Sequence, residues 1–325
     1  YNSSSGEEQP CDYWRETYVS GEYAVFWVEV PSIPSSGDTT IYIYYGSSTA
    51  TTTSNGDSTF ILFDDFSGDS LDSSKWTDVS DGSASAYVDT ANYWLVLHQD
   101  GTYRGYVRSA NQISEKNILI RCRAKSDVDG QIFALLHWDG SHTASYDNPD
   151  NCYRAGRRHS AVSDFAMFKY VSASAVWTET VSATLDSDFH ILDFGHYNDH
   201  LILNWDDTNK ITKDDTDTTE FSTTYIGLSS REKNSDTYVD WVFIRKYVDP
   251  EPSHGSWGSE EEQVGAIEKN VNAILLFFSS LSSLLTFGKE EKVCLIFTEK
   301  VTQLMLKCIE STTKILFETF CSISV

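Results

Sequence analysis

The sequence predicts a mainly β protein: an antiparallel β-sandwich or jelly roll, a small N-terminal β unit ahead of it and an α-helical C-terminal tail behind. Three observations carry this. The 325 residues include 18 Tyr, 17 Phe and 9 Trp but only 2 Met, and aromatic and β-branched residues suit a pleated, half-buried surface. Short apolar runs recur from Phe60 to Tyr247, separated by Asp, Gly, Ser and Asn turns. That rhythm stops at Glu260, where apolar residues take up a spacing of three and four.

The first unit spans residues 1–59. Ala24–Val30 (AVFWVEV) and Thr40–Tyr45 (TIYIYY) read as its strands. Pro31 and Pro34 cannot donate ladder hydrogen bonds, so they end the first strand, and Gly37-Asp38 turns the chain into the second.

The second unit spans 60–247. Its strand-like pieces are Phe60–Phe66, Tyr93–Leu97, Ile118–Ala124, Ile132–Trp138, Phe165–Val171, Phe189–His196, His200–Trp205, Tyr225–Ser229 and Val239–Tyr247. No long helical period interrupts them, which points to a sandwich or jelly roll. Residues 248–259 (VDPEPSHGSWGS) form a linker, since Pro, Gly and Ser break regular structure.

The tail, 260–325, carries Val264, Ile267, Val271, Ile274, Phe278, Leu281 and Leu285 at heptad spacing, the seam of a helical hairpin or coiled coil. Val271–Gly288 is free of charge and so also raises membrane association, although Asn272 and four serines interrupt it. Packing, self-association and membrane contact all stay open for this segment.

Charge narrows the partners. Forty-eight acidic against 24 basic residues give a net charge of −24, which argues against nucleic acid and against anionic lipid surfaces, since both need clustered Lys and Arg. The chain starts at Tyr1 without Met or apolar leader, which reads as a processed or partial chain. Cys11, Cys122, Cys152, Cys294, Cys308 and Cys321 form no CxxC, so a structural zinc is not expected, and Cys122–Cys152 is the disulfide an oxidising compartment would allow.

The run W-V-E-V-P-S-I-P-S-S-G followed by I-Y-I-Y-Y-G and S-N-G-D-S-T-F-I-L-F-D-D-F resembles the domain of unknown function 2341 across Tyr13–Asp65. Only about ten residues precede Tyr13, so the family's opening strands are expected to be missing. The resemblance implies an archaeal or bacterial surface or secreted protein, with the domain placed just ahead of a lectin-like sandwich. Accordingly F-D-D-F-S-G-D-S-L-D-S-S-K-W and Y-V-D-W-V-F-I-R-K-Y, at the two ends of the second unit, resemble concanavalin-A-like lectin and glucanase sandwiches. In that fold the first and last strands lie side by side.

That fold houses glucanases, so catalysis has to be weighed. Retaining hydrolysis needs two carboxylates about 5–5.5 Å apart, and the sandwich glucanases place them on one strand as E-x-D-x-E or E-x-D-x-x-E. No such run exists, and Glu115, Glu179, Glu220 and Glu232 are isolated. No G-x-S-x-G elbow appears either, so no catalytic residue is assigned. His196 and His200 fall in a turn between strands and do not suggest a metal pair.

Calcium is the cofactor expectation. Asp64 and Asp65 lie in the first strand of the sandwich and Asp240 at the start of the last, so neighbouring strands would bring three carboxylates to one edge. The alternative is that one caps a turn while the others face solvent. The acidic stretch Asp206–Asp217 reads as a solvated loop.

Sugar recognition needs an aromatic platform with polar neighbours. Trp138, Tyr170 and Trp205, with His137, Arg154 and Arg157, are the candidate ligand-binding residues. Asn151–His159 (NCYRAGRRH) reads as a basic loop in an acidic protein, suited to an acidic glycan or to neighbouring aspartates.

The expectation is a non-enzymatic extracellular or cell-surface protein, an adhesion or glycan-binding module whose partner is a surface glycan or another surface protein. The alternative is a structural subunit of a filament or surface layer, a homo-oligomer built through an open sheet edge and the 260–325 tail. A glycoside hydrolase ranks third.

Overall fold

The computed structural model of the chain describes residues 10–34, 36–44, 51–100, 103–126, 129–142, 148–159, 161–216, 224–231 and 236–253. Two compact units divide the chain, residues 1–253 and 254–325, and the described part belongs to the first. The expected helical tail at 260–325, with its proposed oligomer and membrane roles, lies outside the described residues. Among those residues no helix is long and apolar enough to cross a membrane.

In chain order the strands begin with β1 (Tyr13–Val19), β2 (Tyr23–Val28), β3 (Leu62–Asp64), β4 (Trp76–Asp78), β5 (Ser85–Asp89) and β6 (Trp94–His98). They continue with β7 (Tyr106–Ser109), β8 (Ile118–Ser126), β9 (Gln131–Trp138), β10 (Cys152–Arg157), β11 (Asp164–Val171) and β12 (Ser174–Ser182). The last are β13 (His190–Tyr197), β14 (His200–Trp205), β15 (Thr208–Asp214), β16 (Tyr225–Arg231) and β17 (Thr237–Lys246). One helical turn, α1 (Gly56–Thr59), precedes β3.

The protein is an antiparallel sandwich of jelly-roll type. A seven-stranded sheet runs β12-β11-β10-β9-β16-β7-β4 and an eight-stranded sheet runs β15-β14-β13-β8-β17-β6-β5, with β3 also on β17. The first and last strands of the sandwich are therefore neighbours, Asp64 lying opposite Val242. Alternation decides what each sheet buries. Ile132, Ala134 and Leu136 of β9, Ile118, Ile120 and Cys122 of β8, and Val242 and Ile244 of β17 all join the core between the sheets.

The hairpin β1–β2 forms a separate two-stranded sheet. Its opposed pair Trp14 and Trp27 lies against the outer face of the eight-stranded sheet. Trp14 meets Trp241 at 5.3 Å and Trp27 meets Phe243 at 5.0 Å, while Phe60 stacks on Phe243 at 3.9 Å. The Trp27 ring lies between two guanidinium groups, Arg121 at 5.4 Å and Arg245 at 5.3 Å, and its Nε1 donates to Glu16 at 2.6 Å. Each such contact contributes on the order of 0.5–1.5 kcal/mol beyond burial.

Several sequence expectations are corrected. Thr40–Tyr44 joins no strand, and Ile41, Tyr42 and Ile43 are exposed, because among the described residues no strand lies alongside to complete a ladder. The strand expected from Phe60 starts at Leu62. Asn55 instead caps a helical turn, accepting from Ser58 N at 3.3 Å, as an Asx residue before a short polar run does. The basic loop Asn151–His159 is mostly strand β10, central in its sheet, and β15 occupies most of the acidic stretch Asp206–Asp217. Cys122 and Cys152 are both free: Cys122 faces the core between the sheets and Cys152 lies in the cluster on the outer side of the other sheet, so no disulfide joins them.

Candidate functional site

A second apolar cluster covers the outer face of the seven-stranded sheet. Tyr106 of β7, Phe133, Leu135 and Trp138 of β9, Cys152 of β10, and Ala166, Phe168 and Tyr170 of β11 compose it. These alternate in sequence with the residues that enter the inter-sheet core, so strands β9 to β11 are apolar on both faces. The run Ile132–Leu136 (IFALL) carried that signal, since continuous rather than alternating apolarity marks a strand covered on both sides.

Trp138 has the parity of the inward residues yet joins the outer cluster. His137 adopts a positive φ of 52°, and the register with β16 slips between Tyr225 and Gly227. The irregularity re-aims one side chain outward and its neighbour inward. Gly227 makes room for the outcome: a Cβ there would stand 2.9 Å from the Trp138 ring and 2.8 Å from Val107 O. Trp138 Nε1 donates to Ser141 O at 2.7 Å, which ties the following loop over the sheet. On that side His142 stacks on Tyr106 at 4.6 Å and donates through Nε2 to Val79 O. The rim is half-buried: Arg108 lies 4.2 Å from the Tyr225 ring centre.

Arg154 sits in this face and is fully buried. Its guanidinium lies 3.9 Å over the Phe133 ring and donates through Nη2 to Ser229 Oγ at 3.4 Å, while Nε has no hydrogen-bond partner. No carboxylate among the described residues pairs with it. A desolvated guanidinium with donors to spare carries a free-energy cost that an anionic group would relieve. Along β7, β9, β10, β11 and β16 the alternation leaves one outward carboxylate among the described residues. It is Asp164, held by Arg158 through Nε at 2.6 Å.

The six ligand-binding candidates are thus divided. Trp138, Arg154 and Tyr170 share the outer face. His137 turns inward, where its Nε2 meets His196 Nδ1 at 2.8 Å. Burial, and after it His196, pushes the His137 pKa down to about 3. Arg157 faces the interior and donates to backbone oxygens, Asp186 O at 2.7 Å and Ser126 O at 3.1 Å. Trp205 is also interior, 5.2 Å from Phe165 and 5.0 Å from His190. A sugar ring has no access to either from the outer face.

The three metal candidates are each engaged. Asp64 accepts from Phe66 N at 2.8 Å and from Trp76 Nε1 at 2.9 Å, and burial raises its pKa. Asp65 accepts from Ser67 N at 3.2 Å, and Asp240 forms an ion pair with Arg123. Strand neighbourhood is therefore present without the expected convergence. Among the described residues no group of three or more His, Cys, Asp or Glu side chains is arranged to hold a metal ion. A cavity of about 460 Å³, lined by Trp14, Asp57, Asp64, Asp65, Asp72 and Lys75 among others, lies where the hairpin meets the first strand of the sandwich.

Solved structures with a related outline include a β-1,3-glucanase from Mycobacterium marinum, at 16% identity and a TM-score of 0.43 over 57% of this chain and 98% of its own. An endo-β-1,3-glucanase from Pyrococcus furiosus aligns at 13% identity and a TM-score of 0.45 over 58% and 95%. The carbohydrate recognition domain of Emp46p, metal-free form, aligns at 12% and 0.42 over 54% and 89%. These values assign no activity, and no residue role is carried over from them. No curated protein matches the sequence. Residues 3–79 match the model of a domain of unknown function, DUF2341, a span that takes in the N-terminal hairpin, the helical turn and the strands β3 and β4.

Proposed function

We propose that the chain is a non-enzymatic, extracellular glycan-binding module, with the outer face of the seven-stranded sheet as its binding face. The observation that carries this reading is the aromatic floor of that face around the Arg154 guanidinium, which has no carboxylate partner among the described residues. Glycoside hydrolysis needs an acid pair, and the one outward carboxylate on β7, β9, β10, β11 and β16 among the described residues, Asp164, is bound to Arg158. The rim of the face is the half-buried Arg108–Tyr225 pair, which a ligand meets first, with Arg154 buried beneath supplying positive charge. A saccharide bearing a carboxylate or sulfate suits this set best. The test is the full chain against a panel of neutral and acidic glycans. Saturable binding to acidic members is expected, weakened about fivefold by Arg108→Ala or Tyr225→Ala, the loss of about 1 kcal/mol from one cation–π or stacking contact. No binding across the panel would overturn the reading.

A second reading, a structural subunit assembled by strand addition, is favoured by one observation. Among the described residues only β1 pairs with β2, so the far edge of β2 is open, and Tyr18, Phe26, Ile41 and Ile43 are exposed beside or just after it. The same chain thus offers an open edge and a strand-forming segment, Thr40–Ile43, and the occupant proposed for that edge is this segment from a second copy. Light-scattering mass against concentration tests it: growth that Ile41→Asp with Ile43→Asp abolishes supports assembly, and a monomer at every concentration removes it.

A further inference from the structure

A buried ion pair that the glycan-binding reading does not use joins the two sheets. Lys169 of β11 faces inward, and its Nζ lies 2.7 Å from Oδ2 of Asp215, just past β15. Their side chains are 1% and 7% exposed. Both cross-strand neighbours of Lys169 are aromatic, Tyr153 of β10 and Trp177 of β12, and the two rings stack at 6.2 Å. Tyr153 donates its hydroxyl to the same Asp215 Oδ2 at 2.7 Å. The backbone holds Asp215 in place, its N–H donating to Asp199 O at 2.8 Å. An amine, a carboxyl group and an acidic O–H therefore meet in a dry box with aromatic walls.

We propose that Lys169 and Asp215 condense to an intramolecular isopeptide bond that staples the two sheets together. The chemistry balances within the pair. Lys169 Nζ gives one proton to Asp215 Oδ2, which removes both charges from a site where charge is costly. The freed lone pair attacks Cγ, which lies one C–O bond beyond an oxygen already in contact, at about the 3–3.5 Å of a near-attack arrangement. The Cγ–Oδ2 bond then breaks, and Oδ2 leaves as water with that proton and a second from the nitrogen. Ammonium and carboxylate become one amide and one water, with no oxidant or cofactor.

The side chains supply what the step needs. Tyr153 donates to Oδ2, the oxygen that departs, and so steadies the charge that develops on it as the Cγ–Oδ2 bond breaks, ending the step unchanged. Fixing both groups on sheet backbone replaces a bimolecular collision by an arrangement with effective molarity on the order of 10⁵ M or more. Exclusion of water disfavours the reverse hydrolysis. Trp177 Nε1, buried without a hydrogen-bond partner in the same box, is a donor that the amide oxygen can take up.

Intact mass spectrometry of the full chain, under reduction so that cystines do not contribute, tests the bond. The expected mass is one water below that of the sequence, with a branched proteolytic peptide joining the Lys169 and Asp215 segments. Asp215→Ala restores the full sequence mass. Should that variant fail to fold, Tyr153→Phe is expected to leave a mixture of linked and unlinked chain. An unmodified mass with the two peptides recovered separately overturns the proposal, and so does a one-water deficit without the branched peptide.

Discussion

His137 and His196 reach from opposite sheets to share a 2.8 Å hydrogen bond inside the sandwich. Only one of the two nitrogens can donate, so at least one ring is neutral on the side that accepts. Burial lowers both pKa values, that of His137 to about 3. Unfolded, each histidine titrates near the ordinary 6.5. The unfolded chain therefore binds more protons between those values, and stability is full above about 6.5 and falls as pH drops toward the folded pKa. Melting temperature should decline from about pH 7 to about pH 4, and His137→Gln should flatten that decline. An equally steep profile in the variant would assign the acid sensitivity to other groups.

His190 carries the opposite sign. Burial alone lowers its pKa, but hydrogen bonds to Asp186 and Asp206, both at 2.7 Å, outweigh this and raise it. A raised folded pKa gives stability that is present below the unfolded pKa and lost as pH rises through the folded one. His190→Gln should therefore reduce stability in mild acid and leave it unchanged at alkaline pH, read by denaturant melts at several pH values.

Trp27→Ala should release the hairpin from the sandwich. The indole loses Phe243, both guanidinium contacts and the Glu16 hydrogen bond. The expected cost is about 2–4 kcal/mol, below a fully buried Trp because the ring is half-exposed. Limited proteolysis should then cut within β1–β2 while the sandwich survives. A resistant hairpin would show that Trp14 and Phe60 suffice.

Gly227→Ala places a methyl group 2.8 Å from Val107 O and 2.9 Å from the Trp138 ring, so strand or indole must move. Loss of about 1–3 kcal/mol is expected, with a shift in tryptophan emission as Trp138 leaves its bed on the sheet. An unshifted spectrum with unchanged stability would mean that the indole does not lie on Gly227 in solution.

Calcium is not expected to raise the melting temperature through Asp64, Asp65 and Asp240. Each Asp64 oxygen accepts a hydrogen bond, from Phe66 N and from Trp76 Nε1, and Asp240 is paired with Arg123, so the three carboxylates serve separate partners. Melts in calcium and in chelator check this, since an ion that binds only the folded chain raises its stability. A rise in calcium that Asp240→Ala abolishes would place the ion at the expected aspartates after all.

Strand content was legible wherever periodicity and length were sufficient. Ile118–Ala124, Ile132–Trp138 and Val239–Tyr247 became β8, β9 and β17 with small boundary changes. β10 was hidden, because Arg154 and Arg157 make CYRAGRR read as a loop when partners are unknown. β10 lies between β9 and β11, with Arg157 donating into the interior and Arg154 buried on the outer face over Phe133. Thr40–Tyr44, the described part of the expected strand Thr40–Tyr45, differs in the other direction: its composition is strand-like, but among the described residues no strand lies beside it to complete its hydrogen bonds.

The candidate site divides along the same line. Apolarity on both faces of Ile132–Leu136 announced a covered outer sheet, but nothing local revealed that His137 and Trp138 exchange sides. That follows from a positive φ and a register slip opposite β16. What the sequence determined by itself was the class of fold, two aromatic members of the outer face, Trp138 and Tyr170, and the lack of an E-x-D-x-E run, because alternation and residue type are local properties. Tertiary structure alone decided that Trp205, His137 and Arg157 are interior, that Asp64 and Asp240 do not converge, and that Lys169 meets Asp215. Those outcomes depend on which strands become neighbours, and pairing energy between residues tens of positions apart leaves no periodic trace in the chain.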